Sequence, residues 1–249
     1  MRQLPVVLLL LTLSACSSAP PPPPPAGGGK HVDPATAGAI TGKVTFAGTP
    51  PKPDMLRMNT DPACVKASGA TSPSDAVLVG AGGAVQNAFV YLKDGVDPAY
   101  TFDVPAAPVV LDQKGCRYAP RVIGVRVGQP LEITNSDATL HNVHALPMSN
   151  QEFNYGQKEG TPSVKHTFSV PKVMVRFMCN VHGWMSAYVG VMAHPFFAVT
   201  GADGAFEIKG LPPGTYTLAV WHETFGTQTQ QITIADHETK TAAFTFKDK

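Results

Sequence analysis

Hydrophobic and polar positions alternate in short runs along most of this chain, and helical spacing is missing. Ile40-Thr41-Gly42-Lys43-Val44-Thr45-Phe46 alternates, and Ala47-Gly48-Thr49-Pro50-Pro51 ends it, which predicts a first strand. Asn87-Ala88-Phe89-Val90-Tyr91-Leu92 predicts another, closed by Lys93-Asp94-Gly95. Further strands are expected at 109–111, 122–127, 131–135, 164–170, 172–178 and 187–192, and one starting at His141. After residue 196, the turn sequences Gly201-Ala202-Asp203-Gly204 and Pro212-Pro213-Gly214 punctuate strands at 205–208 and 215–218, and two alternating strands at 230–234 and 241–246 finish the chain. Residues 52–80 and 147–163 show no period and are expected to be irregular. No helix is predicted, so the fold class is all-β.

Composition supports that class. Of 249 residues, 43% are hydrophobic and 15% charged, which is globular, and 23 Gly and 24 Pro supply turns. The formal net charge of +1 gives no reason to expect nucleic acid as a partner.

The first 15 residues read as a targeting signal. Arg2 precedes the apolar run Val6-Val7-Leu8-Leu9-Leu10-Leu11, too short to span a bilayer. Leu13-Ser14-Ala15-Cys16 resembles the lipobox of bacterial lipoproteins, which implies a lipid on Cys16 and a mature protein anchored to a membrane, outside the cytoplasm. Ser17 lacks the aspartate that retains such proteins at the inner membrane of enteric bacteria, so the outer membrane is expected, facing the periplasm or the cell surface. Residues 16–37 form a stalk with six consecutive prolines at 20–25 and glycines at 27–29. In an oxidising compartment Cys64 and Cys116 are expected to pair, unless they remain two buried thiols. A bridge would be worth about 4 kcal/mol by chain entropy.

The remaining cysteine opens the stretch that carries chemistry: Cys179-Asn180-Val181-His182-Gly183-Trp184-Met185. A thiolate, an imidazole and a thioether recur at every third position, a spacing that lets a tight loop wrap one ion. Soft sulfur with imidazole favours copper, and a second histidine would complete an electron-transfer site. His141-Asn142-Val143-His144 offers two candidates on one expected strand; being three apart, they face opposite ways, and geometry does not choose between them. Zinc is the chemical rival, but Met is not a usual zinc ligand.

His141-Asn142-Val143-His144 together with Cys179, His182 and Met185 resembles the paired motifs of amicyanin, in the blue copper (cupredoxin) family. Tyr118-Ala119-Pro120, Val125-Arg126-Val127-Gly128 and Ile133-Thr134-Asn135-Ser136-Asp137 resemble the first strands of its plastocyanin-like members. The resemblance covers about residues 108–193 and implies a Greek-key β-sandwich holding one copper ion, Cu(I)/Cu(II), on His141, Cys179, His182 and Met185. Asn142 is then the residue that ties the two ligand loops together. Leu140 departs from the family's proline, and Asn180, Val181, Gly183 and Trp184 replace its loop residues. The family also implies that His182 is the solvent edge through which electrons pass to redox partners; Trp184, Leu146, Pro147 and Met148 offer an apolar docking rim around it, with an ordinary core role the alternative for Trp184. A purple binuclear centre would need two bridging cysteines, and an oxidase a second histidine cluster. His166, His194 and His222 stand singly, so no catalysis is expected.

Asp203-Gly204-Ala205-Phe206 with Gly210-Leu211-Pro212-Pro213-Gly214-Thr215-Tyr216-Thr217-Leu218 resembles the carboxypeptidase regulatory-like (transthyretin-like) β-sandwich, as do the strands at 40–44 and 87–92. The expected organisation is a sandwich made of residues 38–98 and 195–249, with the copper domain, 99–194, inserted between its strands. The rival is a copper domain with extra N-terminal strands and a separate small C-terminal domain packed beside it. That family's carbohydrate-binding relatives make Tyr216, Trp221 and Phe225 possible sugar platforms, a weakly supported reading. The function expected is single-electron transfer by a membrane-anchored blue copper protein. The alternatives are a periplasmic copper carrier or store, and an extracellular interaction module with a structural metal.

Overall fold

The structure is a computed structural model that describes residues 29–146 and 149–247. The signal segment, Cys16, the polyproline run, Pro147 and Met148 lie outside the described residues. From the amino end the strands are β1 (Gly38–Ala47), β2 (Met55–Arg57), β3 (Thr71–Pro73) and β4 (Phe89–Asp94), with helix α1 (Pro62–Ser68) between β2 and β3. The middle supplies β5 (Val109–Gln113), β6 (Tyr118–Ala119), β7 (Val122–Arg126), β8 (Pro130–Asn135) and β9 (His141–Leu146). It continues with β10 (Phe153–Gln157), β11 (Val164–Thr167), β12 (Lys172–Met178) and β13 (Ser186–Met192). The carboxyl end adds β14 (Phe197–Val199), β15 (Ala205–Leu211), β16 (Gly214–His222), β17 (Gly226–Ile234) and β18 (Thr239–Lys247).

Strands from the two ends of the chain share sheets. One has the order β15-β1-β18 and the other β14-β4-β16-β17. Alternation along β1 and β18 turns Ile40, Val44, Phe46, Ala242, Phe244 and Phe246 inward, where they meet Val90, Leu92, Leu218 and Val220. The middle strands form their own pair of sheets, β10-β9-β12-β13-β7 and β11-β8-β5-β6, around Leu111, Val125, Leu131, Ile133, Val143, Phe168, Phe177 and Val189.

The two sandwiches meet at a third apolar cluster containing Phe89, Tyr91, Val122, Met192 and Ala219. Gly124 and Gly190 are paired across β7 and β13. A Cβ at Gly124 would stand 2.2 Å from the Phe197 ring, and one at Gly190 would stand 2.4 Å from Phe89. The glycines thus make a flat spot on which two stacked rings lie, with centroids 5.6 Å apart. Beside it, Arg121 bonds Glu223 through Nε and Nη2 and Asp75 through Nη1.

Two expectations are corrected. Residues 52–80 are not simply irregular: they hold a short hairpin of β2 and β3 and the helix α1. Asp61 caps that helix, its carboxylate accepting from the N–H groups of Ala63 (2.7 Å) and Cys64 (3.4 Å), and Pro62 occupies its first turn. Residues 147–163 include β10, which pairs with β9 from Phe153↔Ala145 to Gln157↔His141. Of the residues read as sugar platforms, Tyr216 is buried, Trp221 contacts Tyr188, and Phe225 stacks on Phe46. Among the described residues no helix is long and apolar enough to cross a membrane.

Candidate metal centre

The site is built where β9 begins and β12 ends. Register pairs Met178 with His144, so Cys179, one residue on, comes alongside the start of β9. The following loop closes on itself: the Met185 N–H donates to the His182 carbonyl at 2.9 Å, and the Cys179 N–H to the Met185 carbonyl at 3.4 Å. His141, Cys179, His182 and Met185 are all buried, none more than 2% exposed.

His141 Nδ1 and His182 Nδ1 stand 2.8 Å apart, and the Cys179 Sγ lies within 4.8 Å of a ring nitrogen of each. Met185 lies in the same buried cluster as Cys179. Each imidazole turns its other nitrogen to a carboxylate: His141 Nε2 to Asp137 at 2.9 Å and His182 Nε2 to Asp61 at 3.0 Å. A carboxylate accepts only, so each Nε2 carries a proton, and when both rings are neutral each Nδ1 keeps its lone pair. Two lone pairs and a sulfur therefore converge on one buried point, the arrangement of a carboxylate–histidine–metal relay. Burial pushes the His141 imidazole below its ordinary range, with the Asp137 hydrogen bond opposing, and so favours the neutral ring.

Asn142 joins the two ligand segments. Its Oδ1 accepts from the Asn180 N–H (2.7 Å), the Val181 N–H (3.3 Å) and the Cys179 thiol (3.3 Å). Its Nδ2 donates to Asn154 (2.7 Å) and Asn180 (3.0 Å). The His182 N–H also donates to the Cys179 sulfur at 3.3 Å. Tyr118 reaches the Asn142 carbonyl from the other sheet. His144 lies apart, bonded to Asn180 and Glu152.

His182 is not the solvent edge expected of it, being 2% exposed. The segment from β2 to β3 covers it, held down by the Cys64–Cys116 disulfide. Cys64 Sγ lies 3.7 Å from His182 Nε2, and the Trp184 ring lies 5.0 Å from the imidazole while its Nε1 donates to the Cys116 carbonyl. Sequence reasoning missed Asp61, although Asp61-Pro62 is a helix-start signal. Asp137 stood out only as part of a strand motif. Two other donor groups, Asp61–Cys64–His182 and Cys116–Asp137–His141, spend their cysteines in the disulfide.

The family model of the carboxypeptidase regulatory-like domain matches residues 187–247. Its first residues fall on β13, which pairs with β12 and β7 in the metal-site sheet, and the rest on β14 to β18. The chain is thus similar in part to a carboxypeptidase regulatory-like domain and in part to solved cupredoxin structures. Similar solved structures include the oxidised state of a proline-to-alanine mutant of amicyanin, at 23% identity over 43% of this chain and 99% of that one, with a TM-score of 0.31. A purple cupredoxin from Nitrosopumilus maritimus is 24% identical over 30% of this chain and 81% of its own, with a TM-score of 0.27. A copper-containing nitrite reductase from Thermus scotoductus SA-01 is 21% identical over 34% of this chain, with a TM-score of 0.32; the chain spans only 22% of its length. No curated protein matches.

Proposed function

We propose that this chain is a mononuclear type 1 copper protein that carries single electrons outside the cytoplasm, anchored by a lipid on Cys16. The observation that carries the reading is the convergence of His141 Nδ1, His182 Nδ1 and the Cys179 sulfur at one buried point. With Met185 beside them, these donors suit copper better than zinc. Copper bound there would supply a one-electron couple between +1 and +2.

The chain's own residues do the rest. Asn142 and the His182 N–H hydrogen-bond the sulfur, which is how a protein sets the potential of such a site. Burial would keep water from a bound ion, and the hydrogen bonds that tie the loop to Asn142 would hold the ligands in place as its charge changed. Leu140 and Val181 are 50% and 49% exposed, each one residue before a proposed ligand histidine, and offer apolar surface to a redox partner. The cover over His182 favours retention of the ion over hand-over to an acceptor, and so electron transfer over copper delivery. Nothing in the donor set calls for a reacting substrate, and we assign no catalysis.

The test is the visible absorption and electron spin resonance spectrum of the chain loaded with Cu(II). An intense thiolate-to-copper band with narrow hyperfine splitting, absent in Cys179→Ser, is expected. A colourless protein, or copper binding indifferent to Cys179, would overturn the reading.

A further inference from the structure

Asp61 belongs to the covering segment, outside the strands that carry the proposed ligands, yet its carboxylate is divided between two tasks. Oδ1 caps α1, accepting from Ala63 and Cys64. Oδ2 faces the other way and accepts from the Thr139 hydroxyl at 2.7 Å and from His182 Nε2 at 3.0 Å. Its side chain is 18% exposed and that of His182 3%, so the pair is poorly screened by solvent. The disulfide fixes the segment from which Asp61 reaches: Cys64 is two residues into α1, and Cys116 sits where Asp137 Oδ2 accepts from its N–H at 2.7 Å. Asp137 Oδ2 also faces His141 Nε2. The disulfide therefore links the segment that carries Asp61 to the turn whose N–H groups hold Asp137.

We infer that Asp61 is a positioning residue of the metal centre, fixing the proton of His182 on Nε2 and placing a negative charge that favours the higher oxidation state of the bound metal. The inference rests on the copper reading above for its second half only; the proton placement concerns the imidazole itself. A carboxylate hydrogen-bonded to a ligand imidazole orients the ring and makes it a better donor. An anion close to the centre stabilises the more positive of two oxidation states, so neutralising it raises the reduction potential. Helix capping alone predicts neither effect. Asn caps a helix about as well as Asp, so Asp61→Asn keeps α1 while removing the charge.

The experiment uses Asp61→Asn and Asp61→Ala in the full chain, with folding checked by circular dichroism. In the metal-free protein, nitrogen-15 shifts of the His182 ring are expected to report the Nε2–H tautomer, and Asp61→Ala to lose that preference. In the copper-loaded protein, Asp61→Asn is expected to keep the Cys179-dependent band and to show a raised midpoint potential. Asp61→Ala is expected to weaken copper binding by about 10- to 100-fold. An unchanged His182 tautomer in Asp61→Ala overturns the proton placement. An unchanged potential in Asp61→Asn overturns the electrostatic role. If the unsubstituted protein shows no Cys179-dependent band, the copper reading fails and the electrostatic role with it, while the tautomer result still decides the first half.

Discussion

His141 and His144 lie three residues apart on β9 and point to opposite faces: His141 is fully buried, and His144 reaches the exposed Glu152 at 2.6 Å. The alternation of a strand thus separates the two histidines that the sequence offered together. His141→Ala is expected to abolish the Cys179-dependent copper band. His144→Ala should leave it in place, since the His144 ring hydrogen-bonds Asn180 and Glu152 and none of the proposed ligands among the described residues. Titrating both variants with Cu(II) and following the visible spectrum checks the pair; loss in His144→Ala alone would exchange their roles.

Asn142 is 7% exposed and makes hydrogen bonds to Cys179, Asn180, Val181 and Asn154. Asn142→Ala would leave the Asn180 N–H without its partner and free the loop from β9. The expected loss is about 1–3 kcal/mol, several modest hydrogen bonds together with the buried Cys179 thiol left unpaired. Urea unfolding of the metal-free protein measures it, and a loss below about 0.5 kcal/mol would show the loop is held by other contacts.

Where the two sandwiches meet, the test is steric. Gly190→Ala places a methyl 2.4 Å from the Phe89 ring, whose own side chain is fully buried. Overpacking of this kind costs about 1–3 kcal/mol. The melting temperature should fall, and Phe89→Leu in the same chain should recover part of the loss by shrinking the ring.

Acid should weaken the protein through His222. Burial, with the charge of Arg121 adding to it, pushes this imidazole down to about 4, and its Nδ1 accepts from the N–H groups of Thr224 and Phe225. The unfolded chain, with a value near ~6.5, takes up the proton first as pH falls. The contribution is therefore complete above pH ~6.5 and is lost as pH drops through about 4, amounting to about 3 kcal/mol in all. Denaturant titrations at neutral pH and near the lower value measure the slope. His222→Asn keeps an acceptor near the Nδ1 position without the titrating group, and should flatten it.

Much of this was open to reading from residue order alone. The thiolate, imidazole and thioether at 179, 182 and 185 declare themselves by type and spacing, and strict alternation marks β1, β17 and β18. Gln157 hid β10, because a buried glutamine bonded to Gln113 and to the Ile133 carbonyl breaks the apolar rhythm of Phe153 and Tyr155. Asp61 was hidden more deeply. Its task depends on a segment with no hydrophobic period of its own, folded over the site and tied to residue 116, and such long-range placement leaves no local trace.

The imidazole of His182 has one further consequence. Its Nδ1 faces His141, on the side where Cys179 lies, and its Nε2 edge faces Cys64, so a free thiol and a disulfide flank opposite edges of one ring. Thiol–disulfide exchange requires direct attack of one sulfur on another. In the folded chain the ring stands between Cys179 and the bridge, a placement that would hinder this approach where three cysteines share one buried neighbourhood. The ring proposed to hold the metal on one edge would also be the partition between Cys179 and the bridge.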